Sequence, residues 1–140
     1  MTRPGSLWEG VGLELPVEVV ATVVTTQTGR LRLAELLNRG LAWEVGQRLA
    51  VERTEVLLRD GRPLPALSIT PTRRVAASRM TVNVERRITL PQDEREFLGV
   101  DEHGDEVLIA FHIGDLQRAV MLGAGGLSAV LFEVWPKGIR

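Results

Sequence analysis

Apolar and polar positions alternate along this chain in short segments. Val17 to Thr26 is dense in β-branched residues, and Val17, Val19, Ala21 and Val23 share one face at a period of two, which predicts a strand. At Ala34 to Leu41 the period changes: Leu33, Leu36, Leu37 and Leu41 form one stripe and Gly40 stands close to its end, which predicts a short helix. Gly46 then turns the chain into Arg48 to Leu58, where Leu49, Val51, Val56 and Leu58 read as a strand broken around Arg53 and Thr54. Asp60-Gly61 is a hairpin dipeptide, because both central positions of a type I′ turn tolerate positive φ there. The return segment, Pro63 to Ile69, carries Pro63 and Pro65, which cannot donate to a ladder and so mark a sheet edge.

The second half follows the same plan. Arg87 to Leu90 reads as a short strand that Pro91 ends, and an amphipathic helical turn or two follows, with Phe97, Leu98 and Val100 returning to the core. His103-Gly104-Asp105 is a turn. Val107 to Phe111, Ala119 to Leu122 and Ala129 to Trp135 are three further apolar strands, the last two joined through Gly123 to Gly126. Between the halves, Pro71 to Met80 is small, polar and basic, with few anchoring apolar residues, which fits a linker. The division is therefore a first unit at 1–70 with an N-terminal strand, a linker at 71–80 and a second unit at 81–140.

Superposing the two halves strengthens that division. With Arg30 over Arg87, Leu31 falls over Ile88, Leu33 over Leu90, Ala34 over Pro91 and Leu41 over Leu98. One residue inserted near His103 then brings Gly46-Gln47 over Gly104-Asp105, and Leu49 and Val51 over Val107 and Ile109. The chain reads as two diverged copies of one strand–helix–turn–strand unit.

The second copy, RRITLPQDEREFLGV followed by Gly104-Asp105 and a strand, resembles the swapped-hairpin DNA-binding unit of the SpoVT/AbrB-like families AbrB, MazE and MraZ. Their motif runs approximately G-R-hydrophobic-x-hydrophobic-P-x-x-hydrophobic-R-x-x-L-G-hydrophobic, then G-D and a strand. Here Arg86 replaces the glycine, and Glu94 stands where an apolar residue precedes the helix arginine. The first copy keeps Gly29-Arg30 but has Ala34 for the proline and Asn38 for the helix arginine. Tandem copies look most like the MraZ arrangement. The resemblance implies a mostly β (α+β) fold, a tandem swapped-hairpin β-barrel pseudo-dimer with two short helices. A swapped hairpin alone leaves its ladders incomplete, so two copies in one chain are expected to complete each other in one intertwined globule.

Composition narrows the function. With 140 residues, 44% hydrophobic and 25% charged, the chain has enough material for a core without metals or disulfides, and cysteine is absent. No N-terminal charged-then-apolar leader is legible and no apolar run approaches the roughly twenty residues of a membrane span, so the expected location is cytoplasmic, with no membrane partner. The formal net charge is −1, so nucleic-acid binding would have to come from a local patch. Such a patch is available: Arg73 to Arg87 holds five arginines against one glutamate. From Gln92 to Glu106 the balance reverses, with Asp93, Glu94, Glu96, Asp101, Glu102, Asp105 and Glu106 against Arg95. Spaced around a short helix and its turn, these acids read as a solvated face.

Enzyme chemistry finds little support. His103 and His112 are the two histidines, too few for a metal site without cysteine, and read as a turn residue and a strand-end residue. No nucleophile has a recognisable base, and the glycines at 123–126 precede no Gly-Lys-Ser/Thr, so no catalytic residue, metal or cofactor is assigned. The resemblance matches the family's DNA-contacting arginines to Arg87 and Arg95 in the second copy and Arg30 in the first. Arg39, Arg73, Arg74, Arg79 and Arg86 could add backbone contacts by position. The expected function is therefore a small transcriptional regulator binding double-stranded DNA. The alternative is a non-enzymatic protein-binding regulator gripping a basic partner, such as a toxin or an RNA polymerase component, through Asp93, Glu94, Glu96, Asp101 and Glu102 or through an edge strand. Homo-oligomerisation through the C-terminal strands is compatible with either.

Overall fold

The structure, a computed structural model, describes residues 19–26, 29–57, 63–100 and 104–123 of the chain. Chain order gives strands β1 (Val19–Thr25) and β2 (Arg30–Arg32), helix α1 (Ala34–Asn38), and strands β3 (Arg48–Leu57), β4 (Pro63–Pro71), β5 (Met80–Thr81) and β6 (Arg87–Thr89). Helix α2 (Gln92–Leu98) and strands β7 (Glu106–His112) and β8 (Asp115–Gly123) complete it. Six strands form one curled antiparallel half-barrel in the order β1-β7-β8-β4-β3-β5, and β2 pairs with β6 in a separate two-stranded ribbon. Among the described residues the protein is mostly β with two short α-helices, as its two periodicities predict.

The strand order reads the same from either end once the two copies are exchanged. β1, from the first copy, pairs with β7 of the second, while β5 of the second copy pairs with β3 of the first. The central ladder joins β4 to β8 as Leu67↔Met121, Ser68↔Val120 and Ile69↔Ala119, and the ribbon joins Arg30↔Thr89, Leu31↔Ile88 and Arg32↔Arg87. Exchange of the copies maps each of these ladders onto itself, so an approximate two-fold axis runs through the Ser68/Val120 and Leu31/Ile88 pairs. Turn hydrogen bonds come in matching sets. Leu33 N donates to Arg86 O and Leu90 N to Gly29 O; Gly46 N donates to Val82 O and Gly104 N to Thr26 O; Val82 N donates to Gln47 O and Thr26 N to Asp105 O. The chain is a strand-exchanged pseudo-dimer of its own two halves.

The buried cluster is assembled largely from such pairs: Leu31 with Ile88, Leu33 with Leu90, Leu41 with Leu98, Leu49 with Val107, and Ile69 with Met121. The ribbon is three residues long on each side, too short to hold by its own ladder, so the burial of Leu31 and Ile88 is what secures it.

Several expectations are corrected. β3 runs unbroken through Arg53 and Thr54, because Leu67 and Ala66 on β4 pair opposite them. β4 is an interior strand rather than an edge, lying between β3 and β8. Its prolines are tolerated because β8 reaches only Leu67 to Ile69, so Pro63 and Pro65 have a paired neighbour on one side alone. α1 stops at Asn38, before Leu41. Between β4 and β5 the chain makes a 3-10 turn at Val75–Ala77, and Arg79 N donates to Leu49 O. The Asp60-Gly61 turn, His103, and the strand at Ala129 to Trp135 lie outside the described residues. No described helix is long and apolar enough to cross a membrane.

Leu31→Ala and Ile88→Ala should each cost about 2–5 kcal/mol, as large-to-small changes at fully enclosed positions do. The two costs should be similar because the positions are related by the axis. Urea unfolding of each variant measures this; a loss below about 1 kcal/mol at either would remove the ribbon from the cooperative core.

Candidate functional site

The ribbon is a natural place to look for function, since its inner face is spent on the core and its outer face is not. Leu31 and Ile88 point inward, so Arg30, Arg32, Arg87 and Thr89 must point outward by the two-residue period of a strand. Arg30, Arg32 and Thr89 are exposed and Arg87 is half-buried. Arg32 and Arg87 stand directly opposite each other in the register, a like-charge pair. The three guanidinium-bearing residues line a groove whose other wall is Val23, Val24 and Thr25, with no carboxylate among the described residues of its lining.

Two turns lead into the ribbon, and each adds a basic group by a different route. Gly29 has φ +77° and Arg86, its counterpart, has φ +60°, the left-handed region that costs a side-chain-bearing residue about 1 kcal/mol or more. The turn around Asn83 holds Arg86 there. Asn83 Oδ1 accepts from the N–H groups of Glu85 and Arg87, Asn83 N donates to Arg87 O, and Arg86 N donates to Asn83 O. Arg86 then reaches across to α1, where its Nη1 donates to Asn38 Oδ1 at 3.4 Å. At the other turn the arginine comes from the helix instead: a Cβ on Gly29 would lie 3.2 Å from Arg95 Cζ, so Arg95 occupies the space a side chain at Gly29 would need. The two differences between the copies, Arg86 against Gly29 and Asn38 against Arg95, thus compensate each other across the axis. Arg95 is half-buried, and its Nε is enclosed without a hydrogen-bond partner.

The acidic helix turns inward where its sequence reads as solvated. Glu94 is buried, and its carboxylate accepts from Arg53 Nε at 2.7 Å. Asp93 accepts both contacts of Arg79 Nη2 at 2.9 Å and lies 3.6 Å from Arg53 Nη2. Arg53 also stacks over Phe97 at 4.9 Å from the ring centre. The exchange-related position of Arg53 is Phe111, whose ring lies beside Gly40, the counterpart of Phe97. One half thus fills with a phenylalanine the place that the other fills with an ion pair and an aromatic lid.

Of the arginines assigned from sequence, Arg30, Arg86 and Arg87 gather at the ribbon, with Arg39 beside Asn38 at the end of α1. Arg73 and Arg74 are exposed near the start of β3, where Thr72 N donates to Arg48 O, and Arg73 lines a separate groove with Arg48 and Glu44. Arg79 is tied to Asp93, and Arg95 packs on Gly29. Among the described residues, Arg30, Arg32, Arg39, Arg73, Arg74, Arg86 and Arg87 form no ion pair. Glu96 is exposed, and Asp101 and Glu102 lie outside the described residues. Sequence reading passed over Arg32, although its i, i+2 spacing from Arg30 within a strand was a sufficient signal. His112 ends β7, and its Nδ1 accepts from Gly114 N–H. No group of three or more His, Asp or Glu among the described residues is placed to hold a metal ion. Comparison with protein families, curated proteins and solved structures found no match.

Arg53→Ala should cost about 1–3 kcal/mol by stranding a buried carboxylate, less than for a fully enclosed pair because Arg53 is half-exposed. Arg53→Met with Glu94→Leu, which copies the apolar character of the other half, should restore stability to that of the parent. A double-mutant cycle by chemical denaturation tests both, and a double variant weaker than Arg53→Ala alone would contradict the account.

Proposed function

We propose that this protein is a small double-stranded DNA-binding regulator of the swapped-hairpin type, and that the outer face of the β2–β6 ribbon is the surface that meets the duplex. The observation that carries this reading is the set Arg30, Arg32 and Arg87, carried on a ribbon anchored by buried Leu31 and Ile88 and unpaired with any acid among the described residues. Guanidinium groups fixed in this way suit phosphate oxygens and base edges, and a two-stranded ribbon is narrow enough for a major groove. Arg86 and Arg39 add flanking phosphate contacts, and Arg73 and Arg74 supply a second, more remote basic stretch.

Arg79 and Arg95, assigned to the same role from sequence, are better read as residues that shape the surface. The former neutralises Asp93 and the latter packs on Gly29. A protein partner gripped by the acidic helix is the weaker reading, because two of its proposed contacts, Asp93 and Glu94, are already engaged by Arg53 and Arg79. The resemblance of the second copy to the AbrB-like motif points the same way.

Fluorescence anisotropy with a random-sequence duplex should show binding at 50 mM salt that weakens steeply by 200 mM. Arg30→Ala with Arg87→Ala should lower affinity at least tenfold and reduce the salt slope by about 2, since each phosphate contact contributes about 0.9. An unchanged slope in the double variant would move the interface elsewhere, and no binding at 50 mM salt would reject the DNA reading.

A further inference from the structure

The internal axis relates the two ends of the ribbon in backbone but not in charge. Exchange carries Arg30 onto Arg87, which preserves the cation, but it carries Arg32 onto Thr89, which does not. One end of the ribbon therefore presents two guanidinium groups face to face, Arg32 and Arg87, while the other presents Arg30 opposite a hydroxyl. The surroundings deepen the difference. Leu33 N donates to Arg86 O, so Arg86 and its contact Asn38, followed by Arg39, lie at the Arg32/Arg87 end, where the acids are exposed Glu85 and Glu35, the latter accepting from Thr22 Oγ1. Leu90 N donates to Gly29 O, so the opposite end adjoins α2, with exposed Asp93 and Glu96 and the half-buried Arg95. The flanking walls, by contrast, are alike in net charge. Val24 pairs with Val107 as Met80 pairs with Leu49, so Val23 corresponds to Arg79, whose charge Asp93 cancels.

Resting on the nucleic-acid reading above, we infer that the chain binds duplex DNA in one orientation, at a site without dyad symmetry, and that the Arg32/Arg87 end sets that orientation. A ribbon with equal ends would meet a palindromic site equally well either way round. Here, turning the protein about its axis would exchange the cluster of Arg32, Arg86 and Arg87 for an end where Arg30 alone faces Thr89 and Glu96 is exposed, and phosphate contacts made at the first end would be lost. Like charges directly opposite across a ladder are unfavourable by themselves, and a phosphate between Arg32 and Arg87 relieves that repulsion. Arg32 is thus an orientation-determining residue, and Thr89 is the position at which symmetry is broken.

The absence of cysteine allows a direct test. Val84 is exposed in the turn leading to Arg86, so Val84→Cys labelled with iron-EDTA marks one end of the ribbon. On a duplex selected from a random pool, cleavage is expected on one flank only, and the selected sequence should lack a dyad. Adding Thr89→Arg, which gives both ends the same pair, should make cleavage appear on both flanks within about twofold of each other. Two-flank cleavage by the protein without Thr89→Arg, or a palindromic selected sequence, overturns the inference while leaving DNA binding intact. One-flank cleavage that persists with Thr89→Arg overturns the role given to Arg32. No duplex retained in the selection at 50 mM salt rejects the nucleic-acid reading and this inference with it.

Discussion

The contact between Leu31 and Ile88 is the constraint on which the rest depends. Both side chains are fully enclosed, they face each other across a ribbon of three residues a side, and the axis relating the two copies passes between them. Removing this burial would leave a ribbon with too few ladder bonds to persist, and would open the half-barrel whose cluster the ribbon completes. The same pair sets the outward direction of Arg30, Arg32 and Arg87, because a strand cannot turn one residue inward without turning its neighbours outward. Core and surface are two consequences of one register.

Symmetry in this chain belongs to the backbone, and the side chains use it unevenly. Exchange-related positions share turn hydrogen bonds and core burial, yet several side chains diverge: Arg53 against Phe111, Phe97 against Gly40, Asn38 against Arg95, Gly29 against Arg86, Thr89 against Arg32. A single chain containing both copies is free to do this. A homodimer would have to carry every change twice, once on each side of the axis. The ion pair of Glu94 with Arg53 shows what divergence requires, since a buried carboxylate is retained only with its own counter-charge close at hand.

Much of this was legible in the sequence. The repeat appeared in the alignment of Gly29 to Val51 with Arg86 to Ile109, because apolar positions at matching intervals are what two copies of one core must share. Strand and helix types followed from periods of two and of three to four. Other features were not legible, for specific reasons. Arg53 and Thr54 look like an interruption to hydrophobicity, but the ladder to β4 is made by backbone groups and does not depend on side-chain polarity. Pro63 and Pro65 signal a missing donor, and only the stagger of β8 decides whether that donor had a partner to lose. Glu94 reads as solvent-facing among its acidic neighbours because the arginine that buries it comes from β3, far away in the chain.

By itself, then, the order of residues determined the repeated unit, the composition of the core and the availability of arginines near the two short strands, since all three depend on local spacing. Only the tertiary structure decided which arginines remain unpaired, which acids are neutralised and which end of the ribbon is the more cationic. Those outcomes depend on distances between residues remote in sequence, and charge interactions follow distance in space while periodicity records only distance along the chain.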